Sequence, residues 1–101
     1  MASTPEGLVK RDIKAWLKAR GAYVCMPSTG GYGRSGAPDF LTCIGGWFVG
    51  IEAKAPGKRA NTTAMQDEHI MEIHKAGGIA IVVDDVRQLD YLEARLGREP
   101  V

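Results

Sequence analysis

Apolar residues recur near the start of the chain at Val9, Ile13, Trp16 and Leu17, the i, i+4, i+7, i+8 spacing of one helical stripe. Thr4-Pro5-Glu6 opens this helix, with Thr4 as N-cap and Pro5 in the first turn, and Gly21 closes it. "AYVCM" (22–26) reads as a short strand, and "PSTGGYGRSGAP" (27–38) as a Gly-rich, mobile loop. "DFLTCI" (39–44) and "WFVGIEAK" (47–54) read as strands joined by Gly45-Gly46, a two-residue hairpin signal. After a basic loop, "APGKRANT" (55–62), Thr63-Ala64-Met65-Gln66 has the form of a capping box and starts a second helix that ends at Gly77-Gly78. "IAIVVD" (79–84) is a buried-type strand, and Asp85 caps a last helix carrying Val86, Leu89, Leu92 and Leu96, stopped by Gly97. The predicted order is α-β-β-β-α-β-α, with the helix at 63–76 as a right-handed crossover between the third and fourth strands.

A chain of 101 residues holds one core, so residues 1–101 are expected to form a single domain. No apolar run approaches the ~18 residues of a membrane span, and "MASTPEGLVK" lacks a signal-peptide core. Cys25 and Cys43 have no CxxC partner and are expected to be free thiols packed in the core, in a reducing cytoplasm. The net charge of +1 hides an asymmetry. Residues 1–60 hold nine Lys/Arg against four Asp/Glu, whereas residues 61–101 hold four against eight. That division permits one electropositive face, as a nucleic-acid binder needs, although solvated helix faces produce similar counts.

The hairpin places the first candidate chemistry. If Gly45-Gly46 is a two-residue turn, Ile44 pairs with Trp47, and Asp39 then stands opposite Glu52 and Ala37 opposite Lys54. Directly paired positions share a face with Cβ atoms ~4.5–5.5 Å apart, so two carboxylates would repel each other there. A divalent cation such as Mg²⁺ would turn that repulsion into a chelate of hard oxygens. Lys54, one pleat further along, would position or deprotonate an attacking water; the plainer alternative is a surface Glu/Lys pair at a strand end. Glu6 lies on the apolar face of the first helix, either as a site acid or as a first-turn acid favoured by the helix dipole. Gln66, four and seven residues before Ile70 and Ile73, is turned toward the sheet, either as a site residue or as the capping-box partner of Thr63. Arg34, Lys58 and Arg59 sit in loops flanking this site, where they would contact phosphates or simply aid solubility. His69 and His74 are five apart rather than i, i+4, so they are expected to face solvent and not to bind zinc. "GGYGRSG" is neither a P-loop nor a dinucleotide loop.

"GAPDF" (36–40), "IEAK" (51–54) after a Gly-Gly hairpin, and a downstream helical Gln66 resemble the PD-(D/E)XK nuclease superfamily, and most closely its stand-alone, phage-type VRR-NUC domains. The likeness spans roughly residues 6–90, and ExK alone would be a poor motif. The resemblance implies a restriction-endonuclease-like α/β core, a mixed four-stranded sheet flanked by helices. It implies Mg²⁺- or Mn²⁺-dependent hydrolysis of DNA phosphodiesters. In that picture Asp39, Glu52 and the Ala53 carbonyl hold the metal, with Glu6 contributing directly or through water. Lys54 orients the attacking water, and Gln66 supports the site or contacts the phosphate. Free-standing members are similar to Holliday-junction resolvases, which implies a homodimer acting on branched DNA, in a bacterial host cell if phage-encoded. No catalytic position of that pattern is missing. The alternative reading is a non-catalytic DNA-binding or assembly subunit that retains the fold.

Overall fold

The computed structural model describes residues 3–27 and 35–96. Helix α1 spans Pro5–Ala19, and its Thr4 N-cap accepts a 2.9 Å hydrogen bond from the Gly7 N–H. Strands β1 (Tyr23–Cys25), β2 (Phe40–Ile44) and β3 (Trp47–Ala53) follow, then α2 (Ala64–Lys75), β4 (Ile79–Val83) and α3 (Arg87–Leu96). This is the order read from the hydrophobic pattern. The four strands form one sheet in the order β1-β2-β3-β4; the first three pair antiparallel, and β3 pairs parallel with β4 across α2. Among the described residues, no helix is long and apolar enough to cross a membrane. Arg34 and Gly97, and most of the predicted 27–38 loop, lie outside the described residues.

Alternation along β3 divides its side chains between two layers. Val49, Ile51 and Ala53 face α1 and α3, where they join Ile13, Leu17, Phe40, Val83 and Leu89 in the buried core. The two helices are also tied to each other. The Trp16 indole N–H donates to Asp90 at 2.9 Å, and the Arg20 guanidinium stacks 3.7 Å above the Trp16 ring while pairing with Glu93. Phe48, Gly50 and Glu52 face the opposite side, towards α2. That side is thinner, because α2 buries no residue completely.

Two expectations fail on this thin side. Cys25 and Cys43 are exposed rather than packed in the core. Register puts Tyr23, Cys43 and Phe48 in one row across three strands, and α2 lies over β4 rather than over that row, leaving Tyr23 70% and Phe48 43% exposed. His69 is half-buried, with its Nε2 inaccessible to solvent and without a hydrogen-bond partner among the described residues. His74 is exposed, as expected, but its Nε2 lies against the Ala80 backbone, 3.2 Å from the N–H.

Candidate active site

The site begins with the turn. Gly45 and Gly46 both have positive φ, 55° and 87°, the geometry that two-residue hairpins need and that glycine adopts without strain. The resulting register pairs Ile44 with Trp47 and runs to Phe40 with Ile51, so the next step along both strands brings Asp39 beside Glu52. Regular pairing stops at that step, and a side chain continues it: Asp39 Oδ2 accepts a 2.8 Å hydrogen bond from the Ala53 N–H. On the other edge of β3, the Lys54 N–H donates to the Val83 carbonyl at 2.9 Å, which carries the parallel pairing one residue beyond the strand. The Ala53 and Lys54 N–H groups thus hold the two sides of the strand end, one to a side chain and one to the neighbouring strand.

The G-x-P-D stretch has a packing reason. Gly36 has φ 86°, and a Cβ there would lie 2.6 Å from the Met65 carbonyl carbon, so the loop entering β2 rests directly on the first turn of α2. Pro38 is buried, and a Cβ on Gly50 would meet it at 3.1 Å. These contacts set Asp39 next to Gln66's helix. Gly36→Ala is accordingly expected to destabilise the fold by more than about 1 kcal/mol, since alanine is strained at positive φ and has no room. A thermal melt checks it, and an unchanged midpoint would show that the loop can lift from α2 at no cost.

Gln66 serves two structures with one amide. Its backbone N–H donates to Thr63 Oγ1 at 3.1 Å and its Oε1 accepts from the Thr63 N–H at 3.0 Å, completing the capping box. The same Oε1 accepts from Lys54 Nζ at 3.0 Å, and Nε2 donates to Glu52 Oε2 at 3.1 Å. Two donors on one side and a carboxylate on the other leave the amide a single favourable orientation. Lys54 Nζ is 3.9 Å from Glu52 Oε2, with only 13% of its side chain exposed. The capping box expected of Gln66 is thus present, and the same amide also contacts Lys54 and Glu52.

Glu52 is 6% exposed, and its carboxyl is pushed up to about 7. Burial is the largest cause; the Asp39 charge and a hydrogen bond with Asp39 add to it, Lys54 opposes it, and Glu6 adds a little. At neutral pH the pair is therefore short of positive charge. Glu6 stands at the margin, 44% exposed and 3.3 Å from Lys10, whose ammonium also reaches Asp39 at 3.6 Å. The two carboxylates hold the Lys10 ammonium more firmly charged than usual, although partial burial works against it. Among the described residues, no three His, Cys, Asp or Glu side chains converge closely enough to hold a metal by themselves.

Lys10 joins the site without having been among the residues expected there. Its signal was present: it is the i+4 partner of Glu6 and flanks the same stripe as Val9 and Ile13. Lys58 and Arg59 are exposed on the loop after β3, which is anchored by the Gly57 N–H donating to Asp84 at 2.8 Å.

The sequence matches no family model, and no curated protein is similar to it. Among solved structures, a VRR_NUC domain superposes with a TM-score of 0.71 at 31% sequence identity, covering 93% of this chain and 99% of that one. The superposition takes in the whole of that domain, so the likeness is of a complete fold and not of a shared hairpin. With nearly a third of the residues identical over that length, the chain belongs to the VRR_NUC family of nuclease-fold domains.

Proposed function

We propose that this domain is a metal-dependent, structure-selective DNA endonuclease that hydrolyses phosphodiester bonds in the manner of Holliday-junction resolvases. The observation that carries the reading is the buried Glu52 carboxyl beside the half-buried Asp39, with Lys54 held next to them by Gln66. Two carboxylates in a poorly solvated place oppose folding at neutral pH unless a proton or a cation joins them. Hard oxygen donors of that number fit Mg²⁺ or Mn²⁺. Asp39, Glu52 and the Ala53 carbonyl would hold the ion, and Glu6 would join through water or once Lys10 swings away. When bound, the ion supplies Lewis-acid stabilisation of charge on the transferring phosphoryl oxygens.

The chain's own residues do the rest. Glu52 gives up its proton as the site assembles. Lys54 orients the attacking water, its ammonium steadied by Gln66 Oε1. Gln66 Nε2 fixes the Glu52 carboxylate, so one amide sets the spacing between ligand and water-positioning group. A homodimer presenting two sites is supported by the exposed Tyr23–Cys43–Phe48 row, an apolar surface suited to a second copy. Incubation with a four-way junction and with linear duplex, in Mn²⁺ and in EDTA, tests the reading. Metal-dependent nicks favouring the junction are expected, and no nick in any DNA would leave a non-catalytic subunit of the same fold.

DNA is held in this reading by Lys58 and Arg59 against its phosphates. Replacing both with alanine is expected to weaken binding to all sequences alike and to lower the log–log salt slope by roughly two, at ~0.9 for each phosphate no longer neutralised. An unchanged slope would remove this loop from the binding surface.

A further inference from the structure

A cleft of about 420 Å³ lies between α3 and the sheet edge at β4, away from the carboxylate pair, lined by Arg59, Ile81, Gln88, Tyr91, Leu92 and Arg95. We propose that this cleft binds an unpaired nucleotide of the DNA substrate, with its base on the Tyr91 ring and its flanking phosphates on Arg59 and Arg95. The inference rests on DNA being the substrate, and it adds a second binding surface beyond the cleavage site.

The arrangement of α3 carries the argument. Leu89, Leu92 and Leu96 form its apolar stripe. On one flank, Asp90 and Glu93 are turned to α1, where Trp16 and Arg20 engage them. Gln88, Tyr91 and Arg95, at i, i+3 and i+7, share the other flank and face the cleft. The helix has thus sorted Asp90 and Glu93 away from Tyr91 and Arg95. Tyr91 is 79% exposed, the most exposed large hydrophobic side chain among the described residues. Arg20 and Arg87 are each ion-paired, whereas Arg95 makes no ion pair among the described residues. Arg59 is near Asp84, whose oxygens are already engaged by the Gly57 N–H and by Gln88. Two guanidinium groups lining one cleft with an exposed aromatic ring and the apolar Ile81 and Leu92 match a phosphodiester strand with a splayed base: the cations meet phosphates, and the ring stacks on the base.

The position fits as well. Arg59 is five residues after Lys54, so their Cα atoms are at most about 18 Å apart, and a single strand can reach both. A base inside a duplex is stacked on both faces and cannot meet the Tyr91 ring without leaving the helix. The cleft therefore selects DNA with unpaired or easily opened bases, such as forks, flaps and junction centres.

Equilibrium binding of the full chain in EDTA, with a fluorescent fork carrying a short unpaired arm and with a blunt duplex, tests this. Tyr91→Ala is expected to weaken fork binding by roughly fivefold or more and leave the blunt duplex nearly unchanged, since one base stack is worth about 5- to 150-fold. Tyr91→Phe keeps the ring and should restore fork binding. Arg95→Ala should lower the salt slope on the fork by about 0.7, the single-strand value per phosphate. Both positions are exposed, so the variants fold. Equal loss on both probes, or no loss on either, would overturn the proposal. So would a change in sedimentation of the free Tyr91→Ala protein, which would assign the cleft to a second copy of the chain. If the parent nicks no DNA yet discriminates fork from duplex through Tyr91, the nuclease reading fails and the cleft stands.

Discussion

Lys54→Ala is expected to lower DNA cleavage by roughly 10²–10⁴ while the protein still binds Mg²⁺ or Mn²⁺. The amine carries no lone pair for a cation while it is charged, so its loss removes a group that positions water and not a ligand. The structure adds a condition to the experiment. Among the described residues, the Lys54 charge holds the Glu52 carboxyl down against burial and Asp39. Without it the Glu52 proton is held more tightly and competes better with the metal, so metal binding by the variant should shift to higher pH. Calorimetric titrations with Mn²⁺ across a pH series separate the two effects. Affinity recovered at alkaline pH, with cleavage still depressed, supports the assigned role. Affinity lost at every pH would show that Lys54 builds the metal site itself.

Glu52→Gln should abolish cleavage and change how stability depends on pH. The Glu52 carboxyl titrates near 7 in the folded protein and near its usual 4.5 when unfolded. Between those values the folded state holds a proton that the unfolded state has lost. Metal-free stability should therefore be fully favoured below about 4.5 and fall as pH rises through 7, by at most roughly 3.4 kcal/mol at 1.36 kcal/mol per pH unit. Asp85, held down to about 2 by Arg87, and Asp84, lowered by Gln88, titrate below this window and do not disturb it. The replacing amide keeps the shape and presents a carbonyl to Gln66, so the variant should lose the slope and melt above the parent at pH 8 in EDTA. Metal at about a hundred times its dissociation constant should then stabilise the parent by about 2.7 kcal/mol and the variant far less. Thermal melts of both proteins at pH 5 and pH 8, with EDTA or Mn²⁺, give every value. A parent that melts higher than the variant in EDTA at pH 8, with equal metal shifts for both, would dissolve the proposed carboxylate pair.

The hairpin was legible because its information is local. Gly45-Gly46 admits a tight turn with positive φ at both residues, and once the turn is set the pairing of Asp39 with Glu52 follows by counting. The Thr63–Gln66 capping box and the apolar stripe of α1 were legible for the same reason: each is a spacing within one element. The error over Cys25 and Cys43 came from a non-local fact. Both belong to a sheet face whose cover depends on where α2 comes to rest, and α2 covers β4 instead.

By itself, then, the sequence determined the element order, the strand register and the residues that converge at the end of β3. Those depend on backbone preferences and on alternation over a few residues. Tertiary packing decided how the converging groups are charged and held. Lys10 reaches Asp39 from α1, and Gln66 joins Glu52 to Lys54 across the gap between a helix and a strand. Desolvation of Glu52 needs both faces of the sheet in place, because a carboxylate at the end of an isolated hairpin would be hydrated and titrate near its ordinary value.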